Sequence, residues 1–183
     1  MEFLKNKRIE KISVIGVRQI GPDIALHFAK SLATSGTKII VIDISEGALQ
    51  KATEKIHRKI QKGTESGAFK PALADKMKAA ITFTSDYSLV KGSSIVLEAA
   101  TEDENIKDKI FKQVEQLTGD DTIFMSNSSH MQPEVIFRNI RNRSRCLVAH
   151  YFFPAEINPA LELIPSNETD VSLMDNLLAF YEG

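Results

Sequence analysis

A doubly wound α/β fold with a mostly parallel sheet is what this sequence of 183 residues predicts, and three observations carry that expectation. A β-branched run closes on a glycine and gives way to an apolar pattern at helical spacing. A second, nearly continuous apolar strand follows it, completing a βαβ unit. Beyond that unit, strand-sized and helix-sized segments alternate to the end of the chain, which is the pattern of a sheet covered by helices on both faces.

The first strand is Lys11 to Ile15, closed by Gly16; after Gly21, residues Ile24, Ala25, Phe28, Ala29 and Leu32 repeat at helical spacing. Gly36 stops that helix, and residues 38–43 read as a strand buried on both faces. From Ser45 a helix of about four turns is expected, with Leu49, Ala52, Ile56 and Ile60 on one stripe and a break at Gly63 and Gly67. Pro71 opens a further helix to about Ala80, so these two form a hairpin protruding beside the sheet. Later strands are expected at 81–84, 94–97, 122–125 and 147–152, with helices at 105–117 and 133–136. Pro154 and Pro159 bracket a loop, after which 160–164 returns as an antiparallel strand beside 147–152, and a helix over 171–181 follows.

Composition sets the class. With 43% hydrophobic and 26% charged residues the chain is an ordinary globular protein, read as a single domain over 1–183. A chain of this length buries roughly two thirds of its unfolded surface, so neither disulfide nor structural metal is required. The single cysteine, Cys146, forms no internal bridge and fits a reducing cytoplasm. A net charge of -1 argues against nucleic acid; Arg138, Arg141, Arg143 and Arg145 read as a solvated loop ahead of a strand. Met1 to Lys5 reaches charge before any apolar segment forms, against a secretory signal, and no apolar run approaches the roughly 20 residues of a membrane span.

Three constellations carry chemistry. A dinucleotide loop needs small residues where a strand turns into a helix, because backbone N–H groups must approach a diphosphate there. In Gly16-Val17-Arg18-Gln19-Ile20-Gly21 the outer glycines stand in place and Arg18 fills the middle position. Asp43, at the end of the second strand, supplies the carboxylate that accepts from ribose hydroxyls and disfavours a 2′-phosphate, so NAD is the expected coenzyme. The alternative at this level is a βαβ unit that binds no dinucleotide.

The second constellation is Ser126-Asn127-Ser128-Ser129, placed directly after a strand where ligand crevices open, with Glu98 and Glu102 at a neighbouring strand end. For most of these side chains the reading is the plainer one, a polar turn capping the helix at Pro133, and for the acids the alternative is a first turn favoured by the helix dipole. The third is His150 with Glu162. Both are equidistant from Glu156 in the middle of the reversing loop, so antiparallel pairing sets them opposite one another. Oxidation of a carbinol needs a base for the hydroxyl proton, and an imidazole oriented by a carboxylate suits that task.

Together these segments are similar to one family. The 16–21 loop with Ile24-Ala25, Val41-Ile42-Asp43-Ile44, Glu98-Ala99-Ala100-Thr101-Glu102 with Lys107, Ser126-Asn127-Ser128-Ser129, and His150-Tyr151-Phe152-Phe153-Pro154 with Glu162 resemble the N-terminal domain of the 3-hydroxyacyl-CoA dehydrogenases, from Lys11 onward. The resemblance implies a Rossmann-type domain in which Gly16, Arg18, Ile20, Gly21, Asp43, Glu102, Lys107 and Asn127 bind NAD. It implies Ser129 holding substrate and coenzyme, His150 and Glu162 as the catalytic pair, and hydride transfer at C3 of an acyl-CoA in fatty acid metabolism. The family receives part of CoA on the hairpin over 46–80.

Three departures stand out. Arg18 replaces a glycine, so its side chain must swing out of the diphosphate seat or occupy it as an internal cation. Phe153 replaces an asparagine, and the family's helical C-terminal domain, which carries its dimer interface, lies beyond this sequence. A separate C-terminal partner or a homodimer is therefore expected. Two readings follow: an NAD-dependent 3-hydroxyacyl-CoA dehydrogenase domain, or a catalytically silent NAD- or CoA-binding paralogue; within the enzyme class a hydroxyacid or polyol dehydrogenase is the alternative.

Overall fold

The computed structural model describes residues 9–182; the reading of Met1 to Lys5 lies outside them. Seven strands form one sheet in the order β3-β2-β1-β4-β5-β6-β7, where β1 is Lys11–Ile15, β2 Lys38–Ile42, β3 Ile81–Thr84, β4 Ile95–Glu98, β5 Ile123–Ser126, β6 Cys146–Tyr151 and β7 Leu161–Pro165. Every pairing is parallel except β6 with β7. The strand order reverses between β1 and β4, which opens a crevice beyond their carboxyl ends.

The helices are α1 (Gly21–Leu32), α2 (Glu46–Glu65), α3 (Pro71–Ala80), α4 (Glu104–Leu117), α5 (Pro133–Ile136) and α6 (Val171–Glu182). One apolar cluster joins α1, α2, α3 and α6 to one face of the sheet, with Ile12, Val14, Phe28, Ile39 and Ile56 at its centre. On the other face Phe111, Phe124, Phe137 and Val148 anchor the cluster under α4 and α5. Nearly every residue of the central strands is buried, because both faces are covered.

Several expectations are corrected. The helix from Ser45 does not break at Gly63 but runs as α2 for 20 residues and stops before Gly67, whose φ is 78°. Gly63 is there for packing: a Cβ at that position would lie 2.4 Å from the ring of Phe69, which folds back over the helix end. The hairpin itself is as expected: α2 and α3 follow one another, and the stripe of Leu49, Ala52, Ile56 and Ile60 is the face of α2 buried in the core. Glu98 and Ser126 belong to strands rather than to the loops after them, being register partners in the β4–β5 ladder. The serines do not cap α5, whose N-cap is Gln132 without a side-chain bond. Arg145 is not solvated: it is 1% exposed, its guanidinium lies 4.5 Å from the Phe124 ring centre, and Nη2 is 3.4 Å from Glu115.

Candidate active site

The loop after β1 is shaped by what its glycines exclude. Gly16 has φ 97°, and a Cβ there would come within 2.4 Å of the Ala100 Cα; a Cβ on Gly21 would meet the Gly16 carbonyl oxygen at 1.8 Å. The N–H of Gly16 donates to Ile42 O at 2.8 Å and that of Ala99 to Ile15 O at 2.7 Å, which fixes the loop between two strand ends. The N–H groups of Arg18, Gln19 and Ile20 find no acceptor among the described residues, and they stand at the N-terminus of α1, where backbone dipoles favour an anion. Glycines that leave no room for a Cβ, with free N–H groups beside them, fit a bound diphosphate.

Asp43 reinforces the loop. Its carboxylate accepts from Val17 N at 3.0 Å and from Ser45 N at 2.9 Å, one bond on each oxygen. Each oxygen keeps a lone pair for a ribose hydroxyl. Arg18 is exposed, makes no ion pair among the described residues, and lines the crevice beside the loop.

Opposite the loop, a buried polar group holds the β4 and β5 ends together. Glu98, fully buried, accepts from Lys107 Nζ at 2.6 Å, Ser126 Oγ at 2.6 Å and Ala100 N at 2.8 Å. Lys107 thus spends most of its hydrogen-bonding capacity on Glu98 and Ser126, with Glu102 3.7 Å away. Glu102 accepts from Ser128 Oγ and from both Ser129 N and Oγ. Burial pushes its carboxyl up, but the Ser129 and Ser128 bonds and the Lys107 charge outweigh that and hold it below the usual carboxylate range.

β6 brings in the histidine. The β5–β6 ladder ends at Ser126↔Val148, and the Asn127 side chain extends it by accepting from Tyr151 N at 2.8 Å. His150 sits opposite Glu162 in the β6–β7 register, with Nδ1 3.0 Å from Glu162 Oε2 and the Phe152 ring 4.7 Å away. A ring donating Nδ1–H to that carboxylate presents Nε2 as a lone-pair base.

Two adjoining cavities join these parts. One of about 350 Å³ runs from Arg18–Ile20 past Ala99–Glu102 to Lys107. The other, of about 710 Å³, shares Arg18, Ile20, Glu102 and Asn127 with the first and continues to Ser129, His150 and Phe153. The crevice therefore gathers Arg18, Ile20, Glu102, Lys107, Asn127, Ser129 and His150 along its walls. Asp43 stands behind the loop, and Glu162 behind the histidine.

Sequence gives no notice of Lys55. It reaches the second cavity from α2, with Nζ 2.7 Å from Asp23 Oδ1, 3.2 Å from Gln19 O and 5.7 Å from the Phe153 ring centre. Lys59, one turn on, pairs with the same oxygen at 2.9 Å and with Glu156. No local pattern announces such contacts, which join residues far apart in the chain.

Residues 11–183 match the family model described as the 3-hydroxyacyl-CoA dehydrogenase NAD binding domain. Among curated proteins, the fatty acid oxidation complex subunit alpha of Shewanella loihica is 32% identical over 176 residues, covering 95% of this chain and 24% of that protein. The chain thus spans about a quarter of the length of the curated relatives it matches. Of solved structures, (S)-3-hydroxybutyryl-CoA dehydrogenase from Ralstonia eutropha superposes with a TM-score of 0.88 at 25% identity, over 96% of this chain and 60% of that one. 3-Hydroxybutyryl-CoA dehydrogenase from Escherichia coli gives 0.90 at 23% identity over 96% and 36%, a likeness of fold.

Proposed function

Since the chain belongs to the family of 3-hydroxyacyl-CoA dehydrogenase NAD-binding domains, we propose that it is the coenzyme-binding part of an NAD-dependent dehydrogenase acting at C3 of an acyl-CoA in fatty acid metabolism. The observation that carries this reading is a carboxylate-paired histidine facing the same crevice as a glycine loop with free N–H groups. The loop from Gly16 to Gly21 seats the diphosphate, Asp43 the adenosine ribose, and Glu102, Lys107 and Asn127 line the nicotinamide end. NAD, when bound, supplies the hydride acceptor.

His150 Nε2 takes the hydroxyl proton as the C3 carbinol is oxidised, and Glu162 holds Nδ1–H so that the ring keeps the required tautomer and its cation is stabilised. Ser129, which gives both its N–H and its hydroxyl proton to Glu102, keeps the lone pairs of Oγ to accept from the substrate hydroxyl. Because the relatives are much longer, a separate C-terminal domain, or a second copy of the chain, completes the substrate cleft. No described helix is long and apolar enough to cross a membrane; the buried thiol of Cys146 supports a reducing compartment, the cytoplasm.

The test is a binding isotherm for NADH, followed by NADH oxidation with acetoacetyl-CoA in the presence of a C-terminal domain supplied separately. Absence of NADH binding ends the coenzyme reading. Binding without turnover selects a second reading, a coenzyme-binding module without catalysis. The exposure of Phe153 at the cavity and of Arg18 beside the loop favours that alternative.

A further inference from the structure

Asp23 poses a physical problem. It lies in the first turn of α1, two residues past Gly21, with 0% exposure and one oxygen, Oδ2, that takes no hydrogen bond. The positive end of a helix dipole favours a carboxylate there. Yet the same end faces the seat proposed for a diphosphate, and an unneutralised acid would repel it. Lys55 and Lys59 remove the conflict: spaced i, i+4 on α2, both reach Asp23 Oδ1.

Neutralisation alone does not account for the arrangement, because an apolar residue in place of Asp23 would need no lysines. Buried ion pairs add little net stability over packed apolar groups; what they fix is geometry. Here the geometry has two arms. Lys55 extends to the Gln19 carbonyl in the glycine loop, and Lys59 extends to Glu156 in the loop between β6 and β7. Glu156 Oε2 is likewise buried without a partner, so Lys59 is the side chain that holds this acid. Burial works to lower the Lys59 ammonium, and its bonds to Glu156 and Asp23 outweigh that and raise it. The second arm ends three residues from Phe153, which lines the cavity in front of His150.

We propose that Asp23 is a positioning residue for both ligand sites: through Lys55 it fixes Gln19 in the dinucleotide loop, and through Lys59 and Glu156 it fixes the loop that holds Phe153 before His150. The ligand assignment rests on the function proposed above; the strap itself does not. Its arms can be cut one at a time, and each has reporter amides. Asp23 N and Ile24 N donate to Ile20 O beside the glycine loop, while Ile157 N and Asn158 N donate to Pro154 O in the other.

The experiment is amide hydrogen exchange on the 183-residue chain without ligand, paired with NADH titration. Lys55→Met is expected to speed exchange at Asp23 and Ile24 by about tenfold, the scale of one lost charge-assisted bond, and to weaken NADH binding. Lys55→Arg restores both. Glu156→Gln is expected to speed exchange at Ile157 and Asn158 only, with the NADH dissociation constant unchanged, and Asp23→Asn to speed both pairs. A merely structural cluster predicts no such division. Equal effects of Lys55→Met and Glu156→Gln on both pairs, or no effect of Asp23→Asn, overturn the proposal. If the unmutated chain fails to bind NADH, the coenzyme reading falls and the exchange pattern still decides the strap.

Discussion

Replacing Gly16 by alanine tests the diphosphate seat with a magnitude that can be worked out in two parts. The first is backbone strain: at φ 97° an L side chain costs about 1–2 kcal/mol. The second is a clash with main chain, since the new Cβ would lie 2.4 Å from Ala100 Cα and 2.5 Å from Ala100 N. Relief requires about 1 Å of separation between two strand ends that are hydrogen-bonded in place, and overpacking of that kind adds about 1–3 kcal/mol. Gly92 isolates the first part, having φ 79° and nothing within 4 Å of where a methyl group would stand. Gly92→Ala is therefore expected to lose about 1–2 kcal/mol and Gly16→Ala about 2–5 kcal/mol, with roughly 2–4 °C of melting temperature per kcal/mol. Urea denaturation of both variants measures the difference, and NADH fluorescence titration should show weaker binding for Gly16→Ala alone. Equal destabilisation of the two, or unchanged NADH affinity in Gly16→Ala, would refute the claim that Ala100 and the loop form one tight seat.

His150→Gln is expected to abolish acetoacetyl-CoA reduction while leaving the NADH dissociation constant nearly unaltered; full turnover would remove the imidazole from the chemistry. Arg145→Met should destabilise the chain by about 3 kcal/mol, because it leaves buried Glu115 without its buried partner, and Glu115→Leu added to it should recover part of the loss in urea midpoint. For Glu102 the folded carboxyl lies below its ordinary value of 4.5. Its stabilising contribution is accordingly present above that pH and is lost as pH falls through the lower folded value. Wild type and Glu102→Gln should differ in urea midpoint at pH 7 and converge well below pH 4.5; a gap that persists in acid would count against the assignment.

The parts of the site legible in sequence are those governed by short-range periodicity. His150 and Glu162 can be paired from sequence because side chains alternate along strands and the reversal between them is symmetric about Glu156. Asp43 and the outer glycines are legible for the same reason, a strand–turn–helix unit with a fixed order of parts. Asp23, Lys55 and Lys59 are not, since Lys59 and Glu156 are 97 positions apart and nothing local distinguishes Lys55 from the other lysines of α2. Arg145 looks like one of four surface arginines; only the fold sets it over Phe124. Gly63 reads as a helix break because its reason lies in Phe69, on the far side of the turn.

The direct cross-strand pairing of His150 with Glu162 constrains how this chain can change length. Residues added or removed between Glu156 and β7 leave the two strands in step and Glu156 against Lys59, so length can vary there. A single residue gained within either strand would instead turn the acid to the opposite face of the sheet and leave the imidazole unsupported. Insertions are thus tolerated only where the chain reverses, and the hydrogen-bonded ladder acts as a ruler that keeps base and acid at the same height.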